Sequence, residues 1–148
     1  MRVKDIMITD IETCTPHSDL ESVAITMWNK DCGSVPVMNE GKPVGMITDR
    51  DISIAAATQH RLLSDIKVSD VKDGQVITCK PEQDIKEALK LMTQSRIRRL
   101  PVIDTRGQLA GVLSMGDIVA NVSEDGALSE DLSCKDVVST LKKVYVHH

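Results

Sequence analysis

Aromatic residues are almost absent from this 148-residue chain, which has one Trp, one Tyr and no Phe. Its hydrophobic core must therefore be built from Val, Ile, Leu, Ala and Met, and platforms for stacking nucleic-acid bases are not expected. An excess of positive charge is also lacking, since the formal net charge is −4 at pH 7. Nonspecific binding to nucleic acid or to an anionic membrane requires a positive field, so we expect neither partner.

Long apolar runs and metal-binding cysteine patterns are lacking as well. No segment approaches the length of a membrane-spanning helix, and the N-terminal residues do not resemble a signal peptide, so we expect a cytoplasmic protein. The four cysteines show no Cys-x-x-Cys spacing and no His at ligand distance, so no metal site is expected. Cys14 and Cys79 occupy equivalent repeat positions, and two small buried thiols are favoured over a redox pair.

The chain contains an internal repeat. Residues 45–51 (GMITDRD) match residues 111–117 (GVLSMGD): in both, Gly is followed by two apolar residues, Ser or Thr, and an Asp three positions later. Such duplication indicates two similar units that stack, and it directs attention to the space between them. A short third match, residues 135–137 with residues 4–6, is also consistent with chance. Nine further identities recur 65 positions apart: Val3/Val68, Asp5/Asp70, Thr13/Thr78, Cys14/Cys79, Pro16/Pro81, Asp19/Asp84, Met27/Met92, Pro36/Pro101 and Val37/Val102.

Each copy is predicted to fold as strand, helix, strand, strand, helix. A first strand at 11–14 or 76–79 ends before a proline. A helix follows, with Asp19 or Asp84 as its N-cap or as an acid of its first turn. Turns rich in Gly, Asn and Asp then join two strands. Thr48 or Ser114 opens the second helix, residues 123–133 are predicted to be a mobile linker, and a final helix is expected at 135–144. The paired strands are predicted at 34–38 with 43–47, and at 99–103 with 108–113.

These motifs together resemble tandem cystathionine-beta-synthase (CBS) domains, a pair also called a Bateman module. The resemblance covers residues 1–122 and rests on the Val-x-Asp-Ile-Met opening, the Thr-x-x-Pro strand ends, the Val-Pro-Val and Leu-Pro-Val-Ile-Asp strands, and the paired Gly-apolar-apolar-Ser/Thr-x-x-Asp closings. It implies an α+β fold with duplicated β-α-β-β-α units packed about a pseudo-twofold axis. Repeat 1 would span 1–62 and repeat 2 would span 63–122, with a linker and C-terminal helix at 123–148.

The Ser/Thr-x-x-Asp segments have two compatible interpretations. Either segment can form a capping box, in which the hydroxyl and the acid satisfy backbone groups at the helix start. The same geometry can hold phosphate beside Thr48 or Ser114, while Asp51 or Asp117 accepts hydrogen bonds from ribose hydroxyls. In proteins similar to this chain the motif holds the ribose and phosphate of adenosine nucleotides, so the resemblance favours binding.

Repeat 2 carries basic residues where repeat 1 has none. Arg98 and Arg99 align with Gly and Ser, and strand alternation directs one arginine toward the cleft and the other toward solvent or a partner chain. A solvated basic strand edge is the alternative. Lys80, beside the strand end that would form the pocket, adds charge where repeat 1 has Thr15. The two clefts are therefore expected to be unequal.

Neither His17 nor His60 has in the sequence an obvious Ser or Cys nucleophile with an orienting acid, so an enzyme is the least favoured function. We expect a stand-alone regulatory module that requires no cofactor and binds AMP, ADP or ATP in clefts between its repeats. NAD and S-adenosylmethionine are alternative ligands, and a structural dimerisation module with vestigial clefts is the rival function. The resemblance also implies a homodimer, and the effector protein is not identifiable from the sequence.

Overall fold

The computed structural model describes residues 1–72, 75–121, 127–129 and 132–146. In chain order the elements are α1 (Val3–Ile6), α2 (Leu20–Lys30), β1 (Ser34–Asn39), β2 (Lys42–Thr48), α3 (Asp49–Gln59), α4 (Val68–Val71), α5 (Ile85–Ser95), β3 (Arg99–Ile103), β4 (Leu109–Ser114), α6 (Met115–Ala120), β5 (Ala127–Ser129), β6 (Leu132–Ser133) and α7 (Cys134–Val144). The strands pair antiparallel, β1 with β2, β3 with β4 and β5 with β6. A 3₁₀ turn at Leu63–Asp65 precedes α4.

The chain divides into two compact units. The first-hairpin unit is Ile11–Val76 and contains β1 and β2. The second-hairpin unit combines Met1–Asp10 with the chain from Ile77 onward and contains β3 and β4. The predicted repeats, residues 1–62 and 63–122, describe the sequence. The boundaries of the compact units lie at other positions.

Helix α1 belongs to the second-hairpin unit, although it precedes the first hairpin in the sequence. Val3 and Ile6 are buried in the same core as Leu100 and Leu113. The Val3 backbone N–H donates to the carbonyl of Gln83 at 2.9 Å, which ties α1 to the turn before α5. The first residues of the chain therefore complete the core around the second hairpin.

Helix α4 has the equivalent role in the first-hairpin unit. Ile66 and Val68 are buried with Val35 and Ile47. The Val68 N–H donates to the carbonyl of Ser18 at 2.9 Å, which matches the bond that α1 makes one repeat earlier in the chain. Each short helix is thus supplied by one sequence repeat and packs with the hairpin of the other.

The predicted caps of α2 and α5 are confirmed. Asp19 accepts from the Ser22 N–H at 2.9 Å, and Asp84 accepts from the Lys86 N–H at 2.8 Å. These bonds satisfy backbone donors that have no partner within the helix. The apolar stripes are buried as their helical spacing predicts. The buried residues are Leu20, Val23 and Met27 in α2, and Ile85, Ala88, Leu89 and Met92 in α5.

The predicted hairpins are confirmed to within a few residues, but the predicted first strands are wrong. Glu40, Gly41 and Gly107 adopt positive φ in the hairpin turns, a conformation that glycine tolerates best. At the positions predicted for these strands the described residues form only single parallel bridges, between Cys14 and β1 and between Cys79 and β3. The chain enters a tight turn directly after each cysteine, so pairing cannot extend into a strand.

The C-terminal region also belongs to the second-hairpin unit. Helix α7 is confirmed close to its predicted position and packs against α5, burying Val137, Thr140 and Val144. The linker prediction at 123–133 falls partly outside the described residues, and within it β5 and β6 pair antiparallel, which the sequence did not predict. No helix of the described segments combines the length and apolar character needed to span a bilayer.

All four cysteines are free, and their surroundings differ. Cys14 and Cys79 are buried, one in each unit, and burial raises the pKa of each thiol to about 11. A thiol with such a pKa is almost fully protonated at neutral pH and is a poor nucleophile. Cys32 and Cys134 are exposed. This pattern fits the interpretation of Cys14 and Cys79 as small core residues.

Candidate functional site

The Ser114–Asp117 segment lies where β4 ends and α6 begins. The Asp117 N–H donates to Ser114 Oγ at 3.1 Å, and Asp117 Oδ2 accepts from the Ser114 N–H at 2.8 Å and from Ser114 Oγ at 2.7 Å. The predicted capping box is therefore present. Within the described part of the chain, the hydrogen bonds to this carboxylate end on Oδ2, which leaves Oδ1 as a free acceptor. Both residues are half-buried, so the acceptor is partly shielded from water.

The Thr48–Asp51 segment has the same construction between β2 and α3. The Asp51 N–H donates to Thr48 Oγ1 at 3.2 Å, and Asp51 Oδ2 accepts from the Thr48 N–H at 2.9 Å. The repeated sequence motif therefore corresponds to a repeated local structure, one copy in each compact unit. In the third sequence match, residues 135–137 with residues 4–6, the two aspartates also occupy equivalent places: Asp136 accepts from the Ser133 N–H at 3.0 Å at the start of α7, and Asp5 accepts from the Arg2 N–H at 2.8 Å at the start of α1.

Arg98 and Arg99 are joined through the backbone to the start of the Ser114–Asp117 segment, and they have different environments. Arg99 is half-buried and stands directly opposite Ser114 in the β3–β4 register. The Arg98 carbonyl accepts from the N–H of Met115, the first residue of α6, at 2.9 Å. The two arginines are thus attached by the backbone to the start of the motif.

The side chain of Arg98 is held by the end of α7. Its Nη1 donates to the Tyr145 hydroxyl at 2.8 Å, and its guanidinium carbon lies 5.2 Å from the centre of the Tyr145 ring. A cation over an aromatic face is a favourable arrangement. Neither a cleft nor a partner chain is needed to explain the Arg98 orientation. Arg99 is therefore the better candidate of the two for contact with a ligand.

Thr15 and Lys80 are both exposed, and both lie in the turn that precedes a long helix. Thr15 Oγ1 accepts from the His17 N–H at 3.2 Å. The Lys80 N–H donates to the Gln83 side chain at 2.7 Å. The hydrogen bonds of the described residues do not connect either side chain with a Ser/Thr-x-x-Asp segment. Their proposed role in ligand binding remains a prediction.

Lys72 is a residue of this region that the sequence prediction missed. Its Nζ lies 3.3 Å from Asp51 Oδ2, and both side chains are half-buried. The sequence does contain a signal, because Lys72 occupies the position that Met7 has one repeat earlier. The contact itself could not be predicted, because it depends on α4 packing with the first hairpin.

The two units define a class of protein: a tandem α+β module in which each hairpin leads into a helix capped by Ser or Thr and Asp. The chain belongs to the CBS domain family, because the family model for the CBS domain matches residues 3–57 and 68–124. The resemblance inferred from the sequence is thereby confirmed.

Known proteins are similar over most of the chain. The CBS domain-containing protein YhcV of Bacillus subtilis is 34% identical over 119 residues, which are 80% of this chain and 84% of that protein. The CBS domain pair of MJ0100, solved with 5′-methylthioadenosine and S-adenosyl-L-methionine, aligns with a TM-score of 0.72 and 25% identity over 81% of this chain and 98% of that one. CBSX2 of Arabidopsis thaliana, solved with AMP, has the same fold at a TM-score of 0.66 and 21% identity, over 80% of this chain and 93% of that one.

Proposed function

We propose that this chain is a regulatory module that binds an adenosine-containing ligand, with AMP, ADP or ATP as the leading candidates. The observation that carries the proposal is the half-buried carboxylate of Asp117, which is fixed by the cap through Oδ2 and retains Oδ1 as an acceptor. A carboxylate held in one orientation is well suited to accept hydrogen bonds from the vicinal hydroxyls of a ribose.

Arg99 supplies the second element of the proposed site. It stands opposite Ser114 across the hairpin, and a guanidinium can form two parallel hydrogen bonds with a phosphate. In this proposal the Asp117 carboxylate accepts hydrogen bonds from the ribose hydroxyls, and the Arg99 guanidinium donates hydrogen bonds to the phosphate. AMP, ADP and ATP are favoured for this reason over ligands whose adenosine carries no phosphate.

The comparisons support the adenosine part of the proposal. The MJ0100 domain pair was solved with two ligands that share an adenosine group, and CBSX2 was solved with AMP. S-adenosylmethionine and NAD contain the same group and are the alternative ligands. A regulatory role requires in addition that the ligand binds two conformations, or a partner-bound and a free form, with different affinity.

Thermal denaturation with a ligand panel tests the proposal. A ligand that binds only the folded chain stabilises it by about 2.7 kcal/mol at a hundredfold excess over its Kd, which raises Tm by roughly 5–10 °C. We expect this shift with AMP or ATP and none with free adenine, the matched control that lacks both the ribose and the phosphate. Absence of a shift with AMP, ADP, ATP, NAD and S-adenosylmethionine at millimolar concentration would contradict the proposal.

A homodimer is the second part of the proposal, and an exposed apolar surface of the first-hairpin unit supports it. Trp28 is 85% exposed and Ile25 is 54% exposed, and the two lie three residues apart on one face of α2. Exposed apolar groups of this size favour a contact with another protein surface, and we assign that surface to a second copy. Light scattering should show a dimer for the native chain and a monomer for Trp28→Glu. A monomeric native chain at high micromolar concentration would contradict this assignment.

A structural dimerisation module without ligand remains the competing function, and the same exposed surface is its supporting observation. The two functions differ in their response to nucleotide. A purely structural dimer has the same Tm with and without the ligand panel, whereas the regulatory module does not.

A further inference from the structure

Lys72 and Met7 occupy equivalent positions, and each lies over the glycine of a Gly-x-x-Ser/Thr-x-x-Asp motif. A Cβ on Gly45 would lie 3.6 Å from Lys72 Cγ. A Cβ on Gly111 would lie 3.0 Å from Met7 Sδ and 3.2 Å from Met7 Cγ. The two side chains therefore cover the same place in the two units, one with an ammonium group and the other with an uncharged thioether.

Because of this difference, the two candidate carboxylates have different bonding partners. Lys72 Nζ lies 3.3 Å from Asp51 Oδ2, and the side chains are only 35% and 24% exposed. In the second-hairpin unit, Asp117 Oδ2 instead accepts from the neutral Ser114 hydroxyl at 2.7 Å. Asp51 thus has a cationic partner before any ligand arrives, whereas the described residues bond to Asp117 only through neutral donors.

An ammonium group is a stronger partner for a carboxylate than a ribose hydroxyl. Where the ion pair is half-buried, solvent screens it less than it screens a surface pair. Among the described residues Asp51 Oδ1 accepts no hydrogen bond, so a ribose hydroxyl at Asp51 bonds to a carboxylate whose charge the ammonium on Oδ2 already partly neutralises. That bond is therefore weaker than one to Asp117.

We propose that Lys72 is a specificity-determining residue that lowers the affinity of the Thr48–Asp51 motif for ribose. The Ser114–Asp117 motif then forms the single high-affinity ligand site of each chain. This inference rests on the proposed function, because it assigns the adenosine ligand to one of two similar motifs. It also gives a physical cause, apart from the arginines, for the expected inequality of the two sites.

Calorimetric titration with AMP tests the inference through reciprocal exchanges. The native chain should bind one AMP per chain with high affinity. Lys72→Met gives the first-hairpin unit the residue found in the second, and a second AMP should bind. Met7→Lys places an ammonium beside the Ser114–Asp117 motif and should weaken the remaining site at least tenfold. Lys67→Met is the matched control, since it removes an exposed lysine of the same segment and should leave one site of unchanged affinity.

The outcomes separate this inference from the proposed function. If the native chain binds none of the adenosine ligands, the proposed function fails and the inference fails with it. If the native chain binds one AMP while Lys72→Met still binds one, or binds it more weakly, only the inference is overturned. Weaker binding would show that Lys72 instead assists the ligand phosphate. Lys72→Gln, which keeps a polar side chain and removes the charge, provides the same test if the methionine variant does not fold.

Discussion

Replacing Asp117 with alanine separates the capping role of this carboxylate from its proposed ligand role. The substitution removes the acceptor of two hydrogen bonds, from the Ser114 N–H at 2.8 Å and from Ser114 Oγ at 2.7 Å. Loss of a helix cap costs about 0.5–2 kcal/mol of folding free energy, so Tm should fall by a few degrees. The chain should remain folded.

The effect on binding should be larger than the effect on folding. A charge-assisted hydrogen bond lost from a site shielded from water costs about 1.5–3 kcal/mol, which corresponds to about a ten- to hundredfold loss of affinity. Because the contact is to the ribose, AMP and adenosine should both be affected. Isothermal titration calorimetry measures the affinity, and circular dichroism melting measures the change in stability.

Asp136→Ala is the matched control, because Ser133 and Asp136 form the same capping box at the start of α7. This variant should lower Tm without changing the affinity for AMP. If Asp117→Ala lowers Tm and leaves the nucleotide affinity unchanged, as the control does, then Ser114 and Asp117 are only a helix cap and the proposed ribose contact is wrong.

Three further outcomes are expected. Arg99→Ala should lower the affinity for AMP at least tenfold in calorimetry and leave the affinity for adenosine unchanged, because adenosine has no phosphate. Equal losses of affinity for both ligands would contradict the phosphate role. Alkylation followed by mass spectrometry should label the exposed Cys32 and Cys134 rapidly and the two buried thiols only in denaturant, and rapid labelling of all four would contradict the burial. Hydrogen bonds from Ser133 hold the pKa of Asp136 below its ordinary value of 3.8. The contribution of this carboxylate to folding stability is therefore present above that value and is lost as the pH falls through the lowered pKa. Melting curves at low pH should show a smaller acid-induced drop in Tm for Asp136→Asn than for the native chain, and identical curves would contradict this contribution.

Local features of the fold were predictable from the sequence because they depend on residues close together in the chain. The cap formed by Asp19, the turn at Gly41 and the helix start at Ser114 are each determined by a few neighbouring residues. The strand predicted at 11–14 was wrong because a run of suitable residues does not show whether the chain turns after one bridge. Pairing there stops at Cys14.

The packing of α1 and α4 could not be predicted in the same way. Each has only four residues, too few to carry a pattern that identifies its partner, and each packs with the hairpin of the other repeat. The ion pair of Lys72 with Asp51 and the contact of Arg98 with Tyr145 depend on such long-range packing. The ligand, the effector protein and the cytoplasmic location remain predictions.

A crystal structure of the chain with AMP would show directly which of the two motifs holds the ribose. We expect one nucleotide per chain, with a ribose hydroxyl within about 2.5–3.0 Å of the Asp117 carboxylate and the phosphate in contact with Arg99. A nucleotide whose ribose contacts Asp51 instead, or crystals grown at saturating AMP that contain no nucleotide near Asp117, would contradict this expectation.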